Sequence, residues 1–374
     1  MNKKVLVMVS PFSAARVAGV ARYAREHSWH LMIQDRLGHR PLAWNGDGII
    51  ATLRSDAQTV STICQMMRHG IPVVDLTVCR PEIRVPRVVS DHVGIGRLAA
   101  KHFADRNFRN TVWFSMCWGN VHALRYAGFT ETNHAERWVA EESLPKTRRN
   151  DWNVFMSWIA ENLAIAPKPL AALAYDETDA SRLLDAAERI GISVPEELAI
   201  LSVGNDGIIC ENQSVPLSSI DQNLEEGGYE AAALLDRLMD GGKPPDKPVI
   251  VPAGGICLRR STDVIASHDR DVRRALDYIT GHISMPLGAA QIALALGMSR
   301  NTLDKKFKAD LGRSIGSEIK RQRIAKVKLL LKTGCVSTVE IARQTGFCNA
   351  SHMANAFRAA TGLTPRAWRK APAT

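Results

Sequence analysis

The sequence predicts two different folds in one chain, an α/β region over residues 1–260 and an all-α region after residue 271. In the first region, short apolar segments alternate with segments of helical periodicity, which is typical of parallel sheets covered by helices. In the second region, helical patterns follow one another without a convincing strand. The charge divides at the same place: from His268 onward there are 19 Lys and Arg residues against 7 Asp and Glu, whereas the whole chain carries +10.

The first predicted strand is KVLVMVS, a continuous apolar run, and the first helix follows from Ala14 to His27. Further strands are predicted at DGIIAT, IPVVDL, VPRVVS, TVWFSM, PLAALAY and LAILSVG. Helices are predicted between them, as in VGIGRLAAKHFADR, ASRLLDAAERIG and EGGYEAAALLDRLMDG. The Pro-rich KPPDKPV cannot be helical. Because parallel sheets bind ligands beyond the carboxyl ends of their strands, polar residues that follow strands are the candidate ligand contacts.

Composition excludes several classes of protein. Hydrophobic residues make up 45% of the chain, and no apolar run approaches the roughly 18 residues of a membrane helix. The apolar run near the N-terminus, Val5 to Val9, is shorter than a signal-peptide core, so we interpret it as a strand and expect a cytoplasmic protein. Seven scattered cysteines form no C-x-x-C motif, which argues against a disulfide framework or a zinc site. No metal is predicted.

A small helical pattern occurs twice in the basic region, with an offset of 49 residues. Each copy has an Ile-Ala pair, a glycine that can end a helix with a positive φ, and an apolar pair spaced i,i+4 that anchors a second helix. The matching positions are Ile292-Ala293, Gly297, Leu303 and Phe307 in the first copy, and Ile341-Ala342, Gly346, Met353 and Phe357 in the second. Ser299 and Asn349 are predicted N-caps, and Ser337 to Glu340 a capping box.

The outward faces of the two second helices are free to enter a DNA major groove. The candidate DNA contacts are Arg300, Asn301, Asp304 and Lys305 in the first copy, and Asn349, Ser351, His352 and Asn355 in the second. Ala350 and Ala354 also lie on the second face and cannot hydrogen-bond bases, which favours positioning or methyl contacts there. Two purely structural helix pairs in a bundle are the alternative, which the excess of positive charge disfavours.

The final 100 or so residues resemble the AraC/XylS family of transcription regulators. The tail IARQTGFCNASHMANAFRAATGLTPRAWR follows that family's signature, including Gly346-Phe347, Gly362, Pro365 and Arg369. The resemblance implies a DNA-binding domain over residues 272–374. Its parts would be a first helix-turn-helix at about 288–309, a linking helix at about 315–333 and a second helix-turn-helix at about 337–360. The two second helices would enter successive major-groove segments about 10 bp apart.

The first 260 residues resemble the sugar-binding domain of LacI/GalR-type repressors, which is similar to periplasmic sugar-binding proteins. The segments VSDHVGIGRLAAKHF, LRYAGF, VPEELAILSVGNDG and PLSSIDQN match that family in order. The resemblance implies a two-lobed domain and a linker at 261–271. Lobe one would be about 1–107 and 221–247, and lobe two about 108–220 and 248–260.

This resemblance also suggests which residues contact the ligand. Arg125 falls where the family places an arginine on sugar hydroxyls, and Asp206 falls on a sugar-contacting aspartate. Phe12 and Ser13, after the first strand, would face the ligand. The remaining candidates are Asp91, Asp176 and Asn205, each near a strand end. Charged side chains can make paired hydrogen bonds to vicinal hydroxyls, and an aromatic ring can cover the apolar sugar face. Helix capping is the alternative role for each acid, and for Asp91 the two roles stand equal.

Two other functions compete with a regulator. Gly94-Ile-Gly96-Arg-Leu-Ala99 fits the G-x-G-x-x-A pattern of an NAD-type oxidoreductase, but no acid follows at the end of a second strand. Asp91 is expected to cap the helix before the first glycine, which would place both glycines inside the helix and not in a phosphate-binding turn. No catalytic motif occurs, and His102 and His122 are interpreted as helix-surface or core residues. A sugar receptor that does not bind DNA is the third reading.

Together these features predict a sequence-specific, DNA-binding transcription regulator and not an enzyme. The resemblances imply an activator that responds to a sugar, xylose or a similar monosaccharide, and binds double-stranded operator DNA as a homodimer. Contact with RNA polymerase is a further expected interaction. No cofactor and no membrane association are predicted.

Overall fold

The computed structural model describes residues 2–34, 44–54, 57–332 and 336–370. By its internal contacts the chain divides into two compact units. The first comprises residues 1–103, 110–166 and 170–263, and the second comprises residues 104–109, 167–169 and 264–374. No helix in the described part is long and apolar enough to cross a bilayer.

The first unit contains a four-stranded parallel sheet in the order β2-β1-β3-β4. Its strands are β1 (Lys4–Met8), β2 (His30–Gln34), β3 (Gly48–Ala51) and β4 (Val73–Asp75). The helices α1 (Ala14–Glu26), α2 (Ala57–Arg68) and α9 (Leu224–Met239) belong to the same part, where β5 (Val88–Ser90) pairs in parallel with β11 (Val249–Val251). Val5 and Val7 pack with α1 and α9, whereas Leu6 and Met8 pack on the opposite face with α2 residues. The alternation follows from the two-residue period of a strand.

A second sheet of the same unit has six strands in the order β12-β10-β9-β8-β6-β7, in which only β12 is antiparallel. The strands are β6 (Asn110–Ser115), β7 (Ala135–Val139), β8 (Leu170–Ala174), β9 (Leu198–Val203), β10 (Ser218–Asp221) and β12 (Gly255–Cys257). Helix α3 (His92–Ala104) precedes β6, and the helices between β6 and β10 are α4 (Asn120–Thr130), α5 (Ala140–Ser143), α6 (Trp152–Ile165), α7 (Glu177–Arg189) and α8 (Gly207–Glu211). A 3-10 helix, Arg260–Thr262, follows β12.

Helices α1 and α9 approach each other through two glycines. A Cβ on Gly19 would overlap the carbonyl oxygen of Glu225, and one on Gly228 would overlap the carbonyl oxygen of Arg16. Both obstacles are backbone atoms, so any larger residue would force the helices apart. This contact fixes the start of α1, and with it Arg16, against α9.

The second unit is helical throughout its described residues beyond 264. Its helices are α10 (Arg270–Gly281), α11 (Ala289–Ala295), α12 (Arg300–Leu311), α13 (Ile315–Lys332), α14 (Thr338–Gln344), α15 (Ala350–Thr361) and α16 (Pro365–Lys370). They form two small cores. The first half of α13 packs with α10, α11 and α12 through Ile315 and Ile319, and the second half packs with α14 and α15 through Ile324 and Val327.

The predicted α/β region followed by an all-α region is confirmed. The boundaries predicted for the lobes, the linker and the two helix-turn-helix motifs stay predictions. Five strands are missing from the sequence prediction, namely β2, β7, β10, β11 and β12. The strands β11 and β12 have three residues each, β2 (HLMIQ) has only three apolar residues between polar ends, and β7 (AERWV) and β10 (SSID) contain polar residues, so none presents a long apolar signal.

Candidate functional site

Side chains from both sheets of the first unit influence one another at the carboxyl ends of the strands. We call this group the central cluster; its members are Arg16, Arg54, His92, His122, Arg125, Tyr175 and Gln222. Arg54 follows β3, Tyr175 follows β8 and Gln222 follows β10, as expected for the ligand edge of a parallel sheet. Of these residues, only Arg125 is predicted from the sequence as a ligand contact.

Arg125 lies near the middle of α4, and only 3% of its surface is exposed. Its guanidinium donates hydrogen bonds to the carbonyl oxygen of Tyr175 at 2.7 Å and to Oε1 of Gln222 at 2.8 Å. It also lies 4.8 Å from the centre of the Tyr175 ring, in a cation–π arrangement. Burial lowers the pKa of Arg125. Its Nε has no hydrogen-bond partner among the described residues.

Two buried histidines flank Arg125. The His122 ring stacks on Tyr175 with 3.9 Å between centroids, and its Nε2 lies 3.6 Å from Sγ of Cys117. Burial, followed by the Arg125 charge, lowers the pKa of His92 to about 3 and that of His122 to about 4. Each has an Nδ1 without a partner in the described part of the chain. His122 is thus a buried residue, one of the two alternatives expected from the sequence, and one of its ring nitrogens has no partner in the described part of the chain.

The acidic candidates cap helices. Oδ1 of Asp91 accepts from the backbone N–H of Gly94 at 2.8 Å, just before α3. Asp176 caps α7 in the same way at 2.9 Å, through the N–H of Asp179. Asp206 is exposed and accepts from two N–H groups of α8. Capping engages one oxygen of each carboxylate and leaves ligand contact a prediction for all three.

The remaining candidates differ in their surroundings. Ser13 caps α1, accepting weakly from the N–H of Arg16 at 3.4 Å. Phe12 is 55% exposed. Asn205 has a left-handed backbone, with φ of 61°, and its side-chain oxygen accepts from Arg259 at 3.2 Å. These three residues also stay predicted ligand contacts.

Two buried carboxylates hold this region together. Asp75, at the end of β4, accepts from the N–H of Leu53, from Thr77 and from Nε of Arg87. Oε1 of Glu177 accepts from the N–H of Asn205 at 2.6 Å and from the Ser219 hydroxyl at 2.7 Å. Burial raises the pKa of both carboxyls. The signal in the sequence is position at the carboxyl end of a strand: Asp75 is the last residue of β4, and Tyr175 and Gln222 directly follow β8 and β10.

The G-x-G-x-x-A pattern does not form a phosphate-binding turn. Helix α3 begins at His92, so Gly94 and Gly96 both lie inside it, as expected from the capping position of Asp91. A Cβ on Gly96 would overlap the carbonyl oxygen of Arg125, which shows that this glycine serves helix packing. Within the described ranges, no group of three or more His, Cys, Asp or Glu side chains could hold a metal ion.

In the second unit, both copies of the helical pattern form a helix, a tight turn and a second helix. Gly297 and Gly346 each have φ of 70° in the turn. Ser299 caps α12 by accepting from the N–H of Thr302 at 3.1 Å. Leu303 and Phe307 are fully buried beneath α12. The second helix of the first copy is therefore fixed by its apolar side.

The candidate DNA contacts on α12 lie on its outer side. Arg300, Asn301 and Lys305 are exposed, and Asp304 is partly exposed. Arg300 and Asp304 form an exposed i,i+4 pair at 3.5 Å. The neighbouring Lys306 instead forms ion pairs with Asp269 and Asp271, at 3.0 and 2.5 Å. Lys305 takes part in none of the ion pairs found in the described residues, so its ammonium is available to a partner.

The second copy offers a less charged face. Ser351, His352 and Asn355 are exposed on α15, while Met353 and Phe357 are fully buried. Asn349 caps α15 through a 2.8 Å hydrogen bond from the N–H of His352. Its side chain is thereby committed to the helix, although it stays a predicted DNA contact.

Only one of the two hydrogen bonds of the capping box predicted at the start of α14 forms. The Ser337 hydroxyl accepts from the N–H of Glu340 at 3.2 Å, as predicted. Glu340 does not reach back to Ser337; its carboxylate accepts from Arg343 and Gln344 instead. In α13, Glu318 pairs in the same way with Arg321 and Gln322, and its side chain is completely buried. The sequence pattern of a capping box does not reveal this competition.

Comparison with known proteins identifies both parts of the chain. Residues 100–262 match the family model of a periplasmic binding protein-like domain, and residues 292–371 match that of a helix-turn-helix domain. The chain thus combines a periplasmic binding protein-like α/β domain with a C-terminal helix-turn-helix domain of AraC type, and both resemblances seen in the sequence are confirmed.

The chain is homologous to xylose operon regulatory proteins. It is 27% identical over 372 residues to that of Escherichia coli (strain K12), covering 94% of this chain and 92% of the other. It is similar in fold to a structure of a xylose-binding transcription activator, with a TM-score of 0.63, 24% identity and coverage of 99% and 98%. A cellobiose complex of a transcriptional regulator has a TM-score of 0.55 at 20% identity, covering 70% of this chain and 85% of the other. These relatives are named as regulators and none as an enzyme.

Proposed function

We propose that the protein is a transcription regulator whose binding to operator DNA responds to a sugar, xylose or a similar monosaccharide. One observation carries the proposal: exposed polar faces on α12 and α15, each fixed by a buried apolar side, occur in the same chain as the central cluster. The names of the relatives, which refer to xylose, support the same reading.

In the proposed mechanism, sugar binding at the central cluster favours one arrangement of the two sheets of the first unit. A ligand shifts such an equilibrium only through its differential affinity for the two states. The shift would reposition the DNA-binding domains of a homodimer on paired half-sites. Activation through contact with RNA polymerase belongs to the same proposal.

Selection of binding sites from random duplex DNA with the full chain, followed by footprinting, tests the DNA part. We expect a protected site spanning about two helical turns for each chain, with affinity that falls steeply as salt rises. Repeating the footprint with a panel of monosaccharides tests the sensor part, and sedimentation tests the dimer.

Two outcomes would contradict the proposal. Sugar binding without salt-dependent DNA binding would leave a DNA-independent sugar receptor. Stabilisation by NAD, without any response to sugars, would favour the oxidoreductase reading.

A further inference from the structure

Three arginines from three different elements meet in the central cluster. Arg16 lies on α1, Arg54 follows β3 and Arg125 lies on α4. Burial lowers the pKa of Arg16, and the charges of Arg54 and Arg125 lower it further. None of the ion pairs within the described residues involves any of the three. Arg125 is 3% exposed, and its guanidinium donates only to neutral acceptors, the carbonyl oxygen of Tyr175 and Oε1 of Gln222. A buried positive charge without an ion pair is costly, so this arrangement favours a negatively charged ligand.

Asp75, Asp176 and Glu177 are the carboxylates whose charges act on Arg16 and Arg125, and each already accepts hydrogen bonds from other groups. Asp75 accepts hydrogen bonds from Leu53 and Thr77 and pairs with Arg87 at 3.2 Å. Glu177 accepts from Asn205 and Ser219, and Asp176 caps α7. Their hydrogen bonds hold loops and a helix start in place, and none is made to the three arginines.

Unpaired polar atoms point to a ligand in the same place. Nε of Arg125 and Nδ1 of both His92 and His122 are buried without a partner in the described residues. The three residues are 3%, 8% and 6% exposed. Buried polar atoms in native proteins nearly always have a partner, so three together indicate groups that a ligand satisfies. Because the histidines are neutral at pH 7, each ring offers one N–H donor and one acceptor, which suits hydroxyl groups.

Aromatic rings supply the apolar part of the site. Tyr175 stacks on His122, and the edge of the Trp113 ring system meets both at centroid distances of 6.3 to 6.4 Å. An apolar surface beside hydroxyl-binding nitrogens and guanidinium groups matches a sugar that also carries an acidic group. A neutral sugar would leave the buried guanidinium of Arg125 without an ion pair.

We propose that the effector of this protein is an acidic monosaccharide, a sugar bearing a carboxylate or a phosphate group that Arg16, Arg54 and Arg125 neutralise. This inference rests on the proposed function, because it assigns the chemistry of the sugar that the central cluster binds. The proposed effector of this chain therefore differs in charge from xylose, the neutral sugar in the names of its relatives.

Calorimetric titration of the full-length protein with two matched series tests the proposal: xylose, xylonate and xylulose 5-phosphate, then glucose, glucuronate and glucose 6-phosphate. We expect an acidic member to bind at least about tenfold more tightly than its neutral counterpart. Arg54→Gln should weaken the binding of the acidic sugar about tenfold or more, and should weaken the binding of the neutral sugar by a clearly smaller factor. Arg54 is exposed, so this variant is expected to fold. Arg97→Gln, which removes an exposed arginine paired with Glu131 on the surface, is the matched control and should change nothing.

The outcomes separate this inference from the function on which it rests. Preference for a carboxylate over a phosphate, or the reverse, identifies the acidic group. If neutral xylose binds best and alters the footprint, the inference is wrong and the regulator remains. If inorganic phosphate binds as tightly as any sugar acid, the cluster is an anion site and the inference is also wrong. If the protein binds DNA but none of these sugars, both the sensor function and the inference fall.

Discussion

Replacing Gly228 by alanine tests the close packing of α1 on α9. The new Cβ would overlap the carbonyl oxygen of Arg16 and lie 3.2 Å from the backbone nitrogen of Val20. A rotamer change cannot move backbone atoms, so the helices must separate. Overpacking of this kind costs about 1–3 kcal/mol, against up to about 1 kcal/mol gained by alanine in a helix. We therefore expect a net loss of about 1–2 kcal/mol in the free energy of unfolding.

Gly227→Ala is the matched control, because its Cβ would have no neighbour within 4 Å in the same helix. We expect that variant to gain about 0.5–1 kcal/mol. Urea unfolding followed by tryptophan fluorescence suits the comparison, since seven of the eight tryptophans precede residue 264. Gly228→Ala should also weaken effector binding, because it displaces Arg16. Equal stability of the two variants would refute the close approach of α1 and α9.

Three further predictions concern charged groups. If Lys305 contacts a base, Lys305→Ala should lower the discrimination between specific and random DNA by about 1–3 kcal/mol in a gel-shift competition. An equal loss of affinity for both DNAs would make Lys305 a phosphate contact. The control is Lys306→Ala, which breaks ion pairs inside the domain and should leave the discrimination unchanged. Burial raises the pKa of the Asp179 carboxyl to about 7, so the folded state disfavours its charged form and stability should fall as pH rises from about 4 to 7, by up to about 1.4 kcal/mol per pH unit. Asp179→Asn should flatten that slope in urea titrations at several pH values, and an unchanged slope would contradict the assignment. Glu318→Gln should destabilise the C-terminal domain by about 1–3 kcal/mol, because the buried carboxylate pairs with the partly exposed Arg313 and Arg321. The exposed Glu340→Gln is the control and should leave the midpoint of urea unfolding unchanged.

Periodicity and turn residues were sufficient to predict most of the fold. Strands such as TVWFSM and LAILSVG are buried on both faces and therefore have continuous apolar sequences. The caps at Ser299 and Asn349 were predictable because a side chain bonds its own helix within three residues. Interactions that are local in the sequence leave a local signal, and these were found.

The site was harder to predict because its parts meet only in three dimensions. Resemblance to a known family indicates Arg125, whereas Arg54 and Gln222 follow strands that are far apart in the chain and meet Arg125 only in the folded protein. At Glu340 a local pattern predicts the wrong partner. A capping box requires its carboxylate to accept from the backbone N–H of Ser337, but the carboxylate accepts from the guanidinium of Arg343, three residues later. A carboxylate forms a stronger hydrogen bond with a charged guanidinium than with a neutral backbone N–H, and the spacing of residues in the sequence does not show which of the two is within reach.

Helix α13 contributes residues to both small cores of the DNA-binding region, with Ile319 in one and Ile324 in the other. The orientation of α12 relative to α15 therefore depends on α13, which packs with both helices. Inserting a single residue between positions 319 and 324 would rotate α15 relative to α12 by about 100° and shift it by about 1.5 Å along the axis of α13. If α12 and α15 both bind DNA as proposed, the length of α13 sets the separation of the two sequence elements in the operator.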